Sequence, residues 1–100
     1  MVRLFISQPM RDKTDEQILK ERKRAIAAAE EIIGEPIEVI DSFFKNTSAN
    51  MNPLWLLGRS IEFLSSANVV YFVKGWQEAR GCRIEERCAK EYGILPLYET

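Results

Sequence analysis

The sequence contains no histidine and only two cysteines, Cys82 and Cys88. Without histidine the chain cannot form a Ser-His or Cys-His catalytic pair, and a catalytic zinc site, which usually takes imidazole ligands, is not expected. The spacing of the two cysteines fits neither a C-x-x-C redox pair nor a zinc knuckle, so both are predicted to be free thiols. Any catalysis must therefore use carboxylates, hydroxyls or cationic side chains.

An excess of charge of one sign and long apolar runs are also missing. Fourteen Lys and Arg residues stand against fifteen Asp and Glu residues, a net charge of −1, so no strong field favours nucleic acid or an anionic membrane surface. No stretch approaches the roughly 18 apolar residues of a membrane span, and the first residues lack the apolar run of a secretory signal. We therefore expect a small-molecule ligand, no nucleic-acid or membrane partner, and a cytoplasmic location.

Hydrophobic residues make up 46% of the 100 residues, which suffices for one core and predicts one domain, residues 1–100. Short apolar runs bounded by turn residues predict four strands. These strands occupy residues 2–6, 37–41, 69–73 and 94–98.

Helical spacing of apolar residues predicts three helices between those strands. They occupy about 14–33, 53–66 and 81–92. The first begins at a capping box formed by Thr14 and Gln17, and the second begins at Pro53. Strands that alternate with helices form a mostly parallel sheet covered on both faces. The predicted fold is therefore α/β, a flavodoxin-like or Rossmann-like three-layer sandwich.

In such a sheet, ligands bind beyond the carboxyl ends of the strands. Those ends lead into residues 7–11, 41–44 and 74–81, and we expect the three loops to meet. Residues 7–11 can offer N–H groups, a hydroxyl and a guanidinium to a phosphate or sugar, or can form a simple turn. Asp41 and Ser42 can bind a ribose hydroxyl or merely begin a loop, and Trp76 can stack on a nucleobase or cap the core.

Glu85 is the unusual residue of the third helix, because steps of 100° per residue place it in the middle of an apolar arc. The apolar members of that arc are Ile84, Cys88, Ala89 and Tyr92. An ionised carboxylate buried without partners costs several kcal/mol. One interpretation is that Glu85 pairs with a nearby cation, Arg80, Arg83 or Lys74, or that its side chain extends past the edge of the core to solvent. The other is that a partly buried carboxylate serves as a nucleophile or a general base.

Three segments, residues 6–11, 39–42 and 75–89, resemble the small bacterial and phage members of the nucleoside 2-deoxyribosyltransferase-like superfamily. The most telling piece is Gly81-x-x-x-Glu85-x-x-x-Ala89, which is similar to the segment where those enzymes carry the glutamate that attacks the deoxyribose C1′. The resemblance implies that Glu85 is this nucleophile and that no metal or organic cofactor is required. It also implies cleavage of an N-glycosidic bond in a nucleoside or nucleoside 5′-monophosphate, with transfer of the sugar to another base or to water.

The chain departs from that pattern at supporting positions. Phe5 stands where these enzymes often have a tyrosine that orients the nucleophile, and Ser60 and Ala79 stand roughly where they have aspartates. The proton donor to the leaving base is therefore unassigned, and Glu78, beside Ala79, is our hypothesis for it. The alternative function is a non-catalytic module of the same fold that binds a nucleotide or sugar phosphate.

The candidate residues form one set at the predicted mouth of the sheet. The candidate catalytic residues are Glu85 and Glu78. The candidate substrate-binding residues are Ser7, Gln8, Pro9, Met10, Arg11, Asp41, Ser42, Trp76, Arg80 and Gly81.

The surfaces of two predicted helices indicate whether the protein contacts other macromolecules. The charged run at residues 20–24 of the first helix is expected to be a solvated face. On the second helix, Leu56 and Phe63 are placed roughly opposite an apolar stripe, and a helix with two apolar sides favours contact with another subunit. The stripe consists of Leu54, Leu57, Ile61 and Leu64. We therefore predict a homo-oligomer. A purely structural interaction domain would use that same second side.

Overall fold

The computed structural model describes residues 1–42 and 52–100. Its strands and helices alternate in the order β1 (Val2–Ser7), α1 (Asp15–Ile33), β2 (Ile37–Val39), α2 (Pro53–Leu64), β3 (Val69–Phe72), α3 (Arg80–Glu91) and β4 (Leu95–Tyr98). A short 3-10 turn, Trp76–Glu78, precedes α3 and was not predicted. The predicted α/β class is confirmed, and the predicted element ends lie within about two residues of the observed ones. Residues 43 and 44 of the predicted second loop lie outside the described residues.

The four strands form one parallel sheet in the order β2-β1-β3-β4. In β1, Leu4 lies opposite Val39 of β2 and Val69 of β3, and Ser7 lies opposite Phe72 of β3. Strand β2 is added on one side of β1, whereas β3 and β4 are added on the other side, so the order in which strands are added reverses between β1 and β3. The carboxyl ends of these two strands therefore flank the switch point at which open α/β sheets bind ligands.

Helix α1 covers one face of the sheet. The Thr14 hydroxyl accepts from the Gln17 N–H and the Gln17 side chain accepts from the Thr14 N–H, which confirms the predicted capping box. The helix ends at Gly34, whose φ of +69° is in the left-handed region that glycine tolerates. Ala25 and Ala29 are fully buried and pack into the core cluster on this face.

Helices α2 and α3 cover the opposite face. A second core cluster joins Leu64 of α2 and Ala89 of α3 to Phe5, Val70 and Phe72 of the strands. The side chains of a strand alternate between faces, so Phe5 and Ser7 point toward α2 and α3 whereas Leu4 and Ile6 point toward α1. The result is the predicted three-layer sandwich.

The prediction that α2 presents two opposite apolar sides is wrong. Phe63 packs against the second core cluster, and both Leu56 and Phe63 are half-buried. Steps of 100° place these two side chains only about 100° from Leu64, so the three form one broad inward face. Leu54 was predicted to belong to the inward stripe, but it lies in the first turn of α2 and is 73% exposed. Trp55 beside it is 53% exposed.

None of the helices in residues 1–42 and 52–100 combines the length and the apolar composition of a membrane-spanning segment.

Candidate active site

Glu85 lies in the second turn of α3 and is only 6% exposed. The buried residues of α3 are Cys82, Glu85 and Ala89, which confirms that Glu85 points inward. The prediction that Ile84 and Tyr92 share this inward-facing arc was wrong, because these side chains are 38% and 82% exposed. Steps of 100° place the centre of the buried arc between Cys82 and Glu85 and place Ile84 about 130° away from it. The helix ends one residue before Tyr92.

Both oxygens of the Glu85 carboxylate accept a hydrogen bond from a serine. Ser7 at the end of β1 donates its hydroxyl to Oε1 at 2.6 Å, and Ser60 of α2 donates to Oε2 at 2.5 Å. Three elements therefore meet at this carboxylate, beside the switch point of the sheet. In the sequence, Ser60 was noted only because it departs from the family pattern. Nothing in the residues around it indicates a contact with Glu85, which lies 25 residues away.

No ion pair reaches Glu85 within residues 1–42 and 52–100. Among the suggested partners, Arg83 donates to the Gln77 carbonyl at 2.9 Å, and Arg80 and Lys74 are exposed. The interpretation that Glu85 pairs with one of these cations is therefore wrong, and its burial also contradicts the interpretation that it extends to solvent. Its burial is offset by two neutral hydroxyl donors instead of by an opposite charge.

Burial raises the pKa of Glu85 above its ordinary value, and the Ser60 and Ser7 hydroxyls oppose that shift. The next residue, Glu86, behaves in the opposite way. Burial favours a higher pKa there too, but the Tyr98 hydroxyl and the Lys90 ammonium outweigh it and lower the pKa of Glu86. A carboxylate with a raised pKa is the better base and nucleophile once it is ionised, so Glu85 is the stronger of the two candidates on α3.

Cys82 lies one turn before Glu85 and shares its hydroxyl neighbour, Ser7. Burial raises the pKa of the Cys82 thiol to about 11, although the Ser7 hydroxyl opposes this. The thiol therefore stays protonated at neutral pH and is a poor nucleophile. Both Cys82 and Cys88 are free, as predicted.

The first and third predicted loops meet at the site. The Val73 N–H donates to the Ser7 carbonyl at 2.9 Å. A Cβ on Gly75 would lie 3.7 Å from the Pro9 ring, an ordinary packing distance, and Gly75 has a φ of +95° that favours glycine. A Cβ on Gly81 would similarly lie 3.8 Å from Leu57 of α2. The Val73–Ser7 hydrogen bond and these neighbours bring the first and third loops together beside Glu85.

The described part of the second loop is attached to α1. Ser42 is 5% exposed and its hydroxyl accepts from Arg22 at 3.4 Å, whereas Asp41 is exposed. In the first loop, Gln8 is buried and also bonds to α1, and Met10 and Arg11 are exposed. The candidate binding residues are thus divided between the two faces of the sheet instead of forming one cluster.

Trp76 belongs to an aromatic cluster at the edge of the core. Its ring centroid lies 5.3 Å from that of Phe72 and 5.4 Å from that of Tyr98, and the indole packs against the second core cluster. These contacts favour the core-capping interpretation over nucleobase stacking. Glu78, in the same 3-10 turn, is exposed.

Arg22 is the residue that sequence reasoning missed. It was assigned to a solvated face, yet it is only 7% exposed. The periodicity did contain the signal, because Ile18, Arg22, Ala25 and Ala29 follow the i, i+4, i+7, i+11 spacing of one buried stripe. The basic neighbours of Arg22 in the sequence hid this position.

Two surface cavities in the described part of the chain lie away from Glu85. A cavity of about 680 Å³ lies between the carboxyl-terminal ends of α2 and α3, lined in part by Leu64, Cys88 and Ile94, and Glu85 does not line it. Among the described residues, no group of three or more acidic or cysteine side chains could hold a metal ion. The carboxylate with its two serines is therefore the candidate site on chemical grounds, not on cavity size.

No protein-family model, curated protein or solved structure matches this chain. The resemblance to the nucleoside 2-deoxyribosyltransferase-like superfamily therefore stays a prediction from the sequence. Functional interpretation depends on the geometry around Glu85.

Proposed function

We propose that this protein cleaves the N-glycosidic bond of a nucleoside or nucleoside 5′-monophosphate, with Glu85 as the nucleophile. The observation that carries this proposal is a buried carboxylate whose two oxygens are held by the hydroxyls of Ser7 and Ser60 and by no cation among the described residues. Two fixed donors orient the carboxylate, and the absence of a paired positive charge leaves its electron density available for attack.

The proposed reaction has two steps. In the first, an oxygen of Glu85 bonds to the sugar C1′ while the C–N bond breaks, and the base leaves with the bonding electrons and takes up a proton. In the second, water or another base attacks C1′, the new C–O bond breaks, and Glu85 is released as a carboxylate. Water loses one proton to solvent as the sugar hydroxyl forms, and an incoming base likewise loses its N–H proton as the new C–N bond forms.

The two serines have a direct role in this scheme. Ser7 and Ser60 hold the carboxylate in one orientation before attack, and their hydrogen bonds strengthen again as negative charge returns to Glu85 in the second step. They replace the tyrosine and aspartate that the resemblance leads one to expect at Phe5 and Ser60. Glu78 remains our hypothesis for the proton donor, because its 3-10 turn is bonded to α3 through Arg83.

A non-catalytic nucleotide or sugar-phosphate binding module is the second candidate. Its support is the small exposed fraction of Glu85, 6%, together with the engagement of both carboxylate oxygens. In this second function, the buried carboxylate with both oxygens bonded serves only to hold the end of β1 against α2 and α3. The two candidates differ in whether a bound nucleoside loses its base.

The test compares Glu85→Gln with Glu86→Gln across a panel of nucleosides and 5′-monophosphates. We expect the wild type and Glu86→Gln to release free base and Glu85→Gln to be slower by about 10³-fold or more. Chromatography measures the free base, and thermal shifts measure binding. Binding by the folded wild type without any release of base would favour the binding module instead.

A further inference from the structure

Gln8 and Arg22 are buried polar side chains on the face of the sheet opposite to Glu85, with 6% and 7% exposure. The Gln8 amide Nε2 donates to the Ile18 carbonyl at 3.1 Å, and Arg22 Nη2 donates to the Ile40 carbonyl at 2.8 Å. Ile18 and Arg22 are one helical turn apart on α1. Both polar groups therefore lie between α1 and the carboxyl ends of β1 and β2.

Each of these side chains keeps one buried polar atom without a hydrogen-bond partner among residues 1–42 and 52–100. The two atoms are the acceptor Gln8 Oε1 and the donor Arg22 Nη1. Buried polar atoms in folded proteins are normally paired, so two in one layer need an explanation. One of the two atoms lacks a donor and the other lacks an acceptor, so a group that carries both kinds of atom matches their chemistry.

Arg22 also has no acidic side chain within ion-pairing distance among the described residues. No ion pair in the described part of the chain includes it, and residues 43–51 contain no aspartate or glutamate. Burial lowers the pKa of the guanidinium, and the exposed Asp41 nearby opposes that shift. The guanidinium still remains charged at neutral pH, and its N–H groups match the oxygens of an anion.

We propose that Arg22 and Gln8 form a phosphate-binding site, separate from Glu85, between α1 and the ends of β1 and β2. An unprotonated phosphate oxygen accepts from Arg22 Nη1, and a P–OH of the same group donates to Gln8 Oε1. Inorganic phosphate keeps such a P–OH at pH 7, and a phosphate monoester keeps one in its monoanion, which forms as the pH falls toward its second pKa of about 6. Sulfate offers the acceptor but no donor at neutral pH. Both protein atoms are closed to solvent here, so binding requires the surrounding side chains to move apart, which weakens the apparent affinity by the fraction of open protein.

The experiment measures thermal unfolding of three proteins at constant ionic strength. The proteins are the wild type, Arg22→Met and the control Lys23→Met, which removes an exposed charge from the same helix. Replacing a buried charge by an apolar chain of similar length is often tolerated, so Arg22→Met is expected to fold. The probes are inorganic phosphate, sulfate and a nucleoside 5′-monophosphate, with the unphosphorylated nucleoside as the control.

We expect phosphate at ten times its Kd to raise the Tm of the wild type and of Lys23→Met by about 5 °C and to leave Arg22→Met unchanged. Sulfate should give a smaller shift than phosphate. A shift with inorganic phosphate identifies a free-anion site, and a shift only with the monophosphate identifies a site for a phosphate ester. Equal shifts in Arg22→Met, or no shift with either phosphate source, would overturn the proposal.

Two further measurements keep the test decisive. If Arg22→Met does not fold, arginine side-chain NMR of the wild type replaces it, and phosphate must then shift the Arg22 Nε signal while the Arg24 signal stays fixed. Glu85→Gln is expected to keep the phosphate shift in full. Failure of the glycosidase proposal and failure of the phosphate site are thereby distinguished.

Discussion

Ser60 of α2 and Glu85 of α3 are joined by a 2.5 Å hydrogen bond, although they lie 25 residues apart in the sequence. With the bond from Ser7, it fixes a buried carboxylate beside the switch point between β1 and β3. Burial, neutral donors and position at the carboxyl ends of the strands are the three properties that make Glu85 the proposed nucleophile.

Glu85 is expected to make the protein less stable at neutral pH than at acidic pH. Burial raises the pKa of Glu85 in the folded state, so the folded protein holds this proton more tightly than the unfolded chain does. The resulting stability is present below the unfolded pKa of about 4.3 and is lost as the pH rises through the raised folded value. Glu85→Gln, which stays neutral, should therefore have a higher Tm than the wild type at pH 8 and a similar Tm at pH 4.

Glu86→Gln is the control for this measurement. The pKa of Glu86 is lowered, so its stabilising contribution is present above the unfolded pKa and is lost as the pH falls through the folded value. The variant should thus have a lower Tm than the wild type at pH 8, and the difference should shrink in acid. A Glu85→Gln protein that is less stable than the wild type at pH 8 but not at pH 4 contradicts the assignment.

Ser60→Ala is expected to reduce the catalytic rate by roughly 10- to 100-fold, because it removes one hydrogen bond to a charged group. Without that donor the pKa of Glu85 rises further, so the acidic limb of the pH–rate profile should move to higher pH. Ser65→Ala is the control, because the Ser65 hydroxyl at the end of the same helix donates to the Glu62 carbonyl at 2.6 Å and to no catalytic candidate among the described residues. This variant should leave the profile in place. Equal profiles for both variants would exclude Ser60 as a positioning residue.

Trp76→Ala is expected to destabilise the fold by roughly 2–3 kcal/mol, because the indole packs against Phe72 and Tyr98 at the edge of the core. Tyr92→Ala, at a position 82% exposed, should change the free energy of unfolding by no more than about 0.5 kcal/mol. Urea denaturation measures both. If Trp76→Ala keeps its stability but loses nucleoside affinity, the indole stacks on the ligand instead.

The prediction of a homo-oligomer now depends on Leu54 and Trp55, which leave an apolar surface exposed at the start of α2. We expect light scattering after size exclusion to give at least a dimer for the wild type at micromolar concentration. The double variant Leu54→Ser, Trp55→Ser should shift the protein toward monomer. A monomeric wild type at that concentration contradicts the prediction.

The sequence predicted the element order and type because each element has a local signal. The Thr14–Gln17 capping box and the apolar run of β3 both depend on neighbouring residues only, and both are confirmed. The same local reasoning placed Glu85 toward the core. The same reasoning was wrong for α2. It predicted that Leu56 and Phe63 face away from the core, whereas both side chains are half-buried and Phe63 packs against the second core cluster.

The partners of Glu85 could not be predicted, because they follow from the sheet order and the packing of α2 on α3. Ser7 and Ser60 lie 78 and 25 residues from Glu85, and neither has a local pattern that indicates the contact. Arg22 is a different case, since its position on the buried stripe of α1 was visible in the spacing. Because its neighbours in the sequence are charged, Arg22 was predicted to be solvated, whereas it is buried.

The most direct test of the central claim is intact-protein mass spectrometry after incubation with nucleosides and 5′-monophosphates, followed by peptide mapping. The proposed mechanism predicts free base in solution and a sugar adduct on Glu85 that is absent from Glu85→Gln and present in Glu86→Gln. Folded wild-type protein that gives neither free base nor adduct across the panel would contradict the claim that Glu85 is a glycosyl-accepting nucleophile.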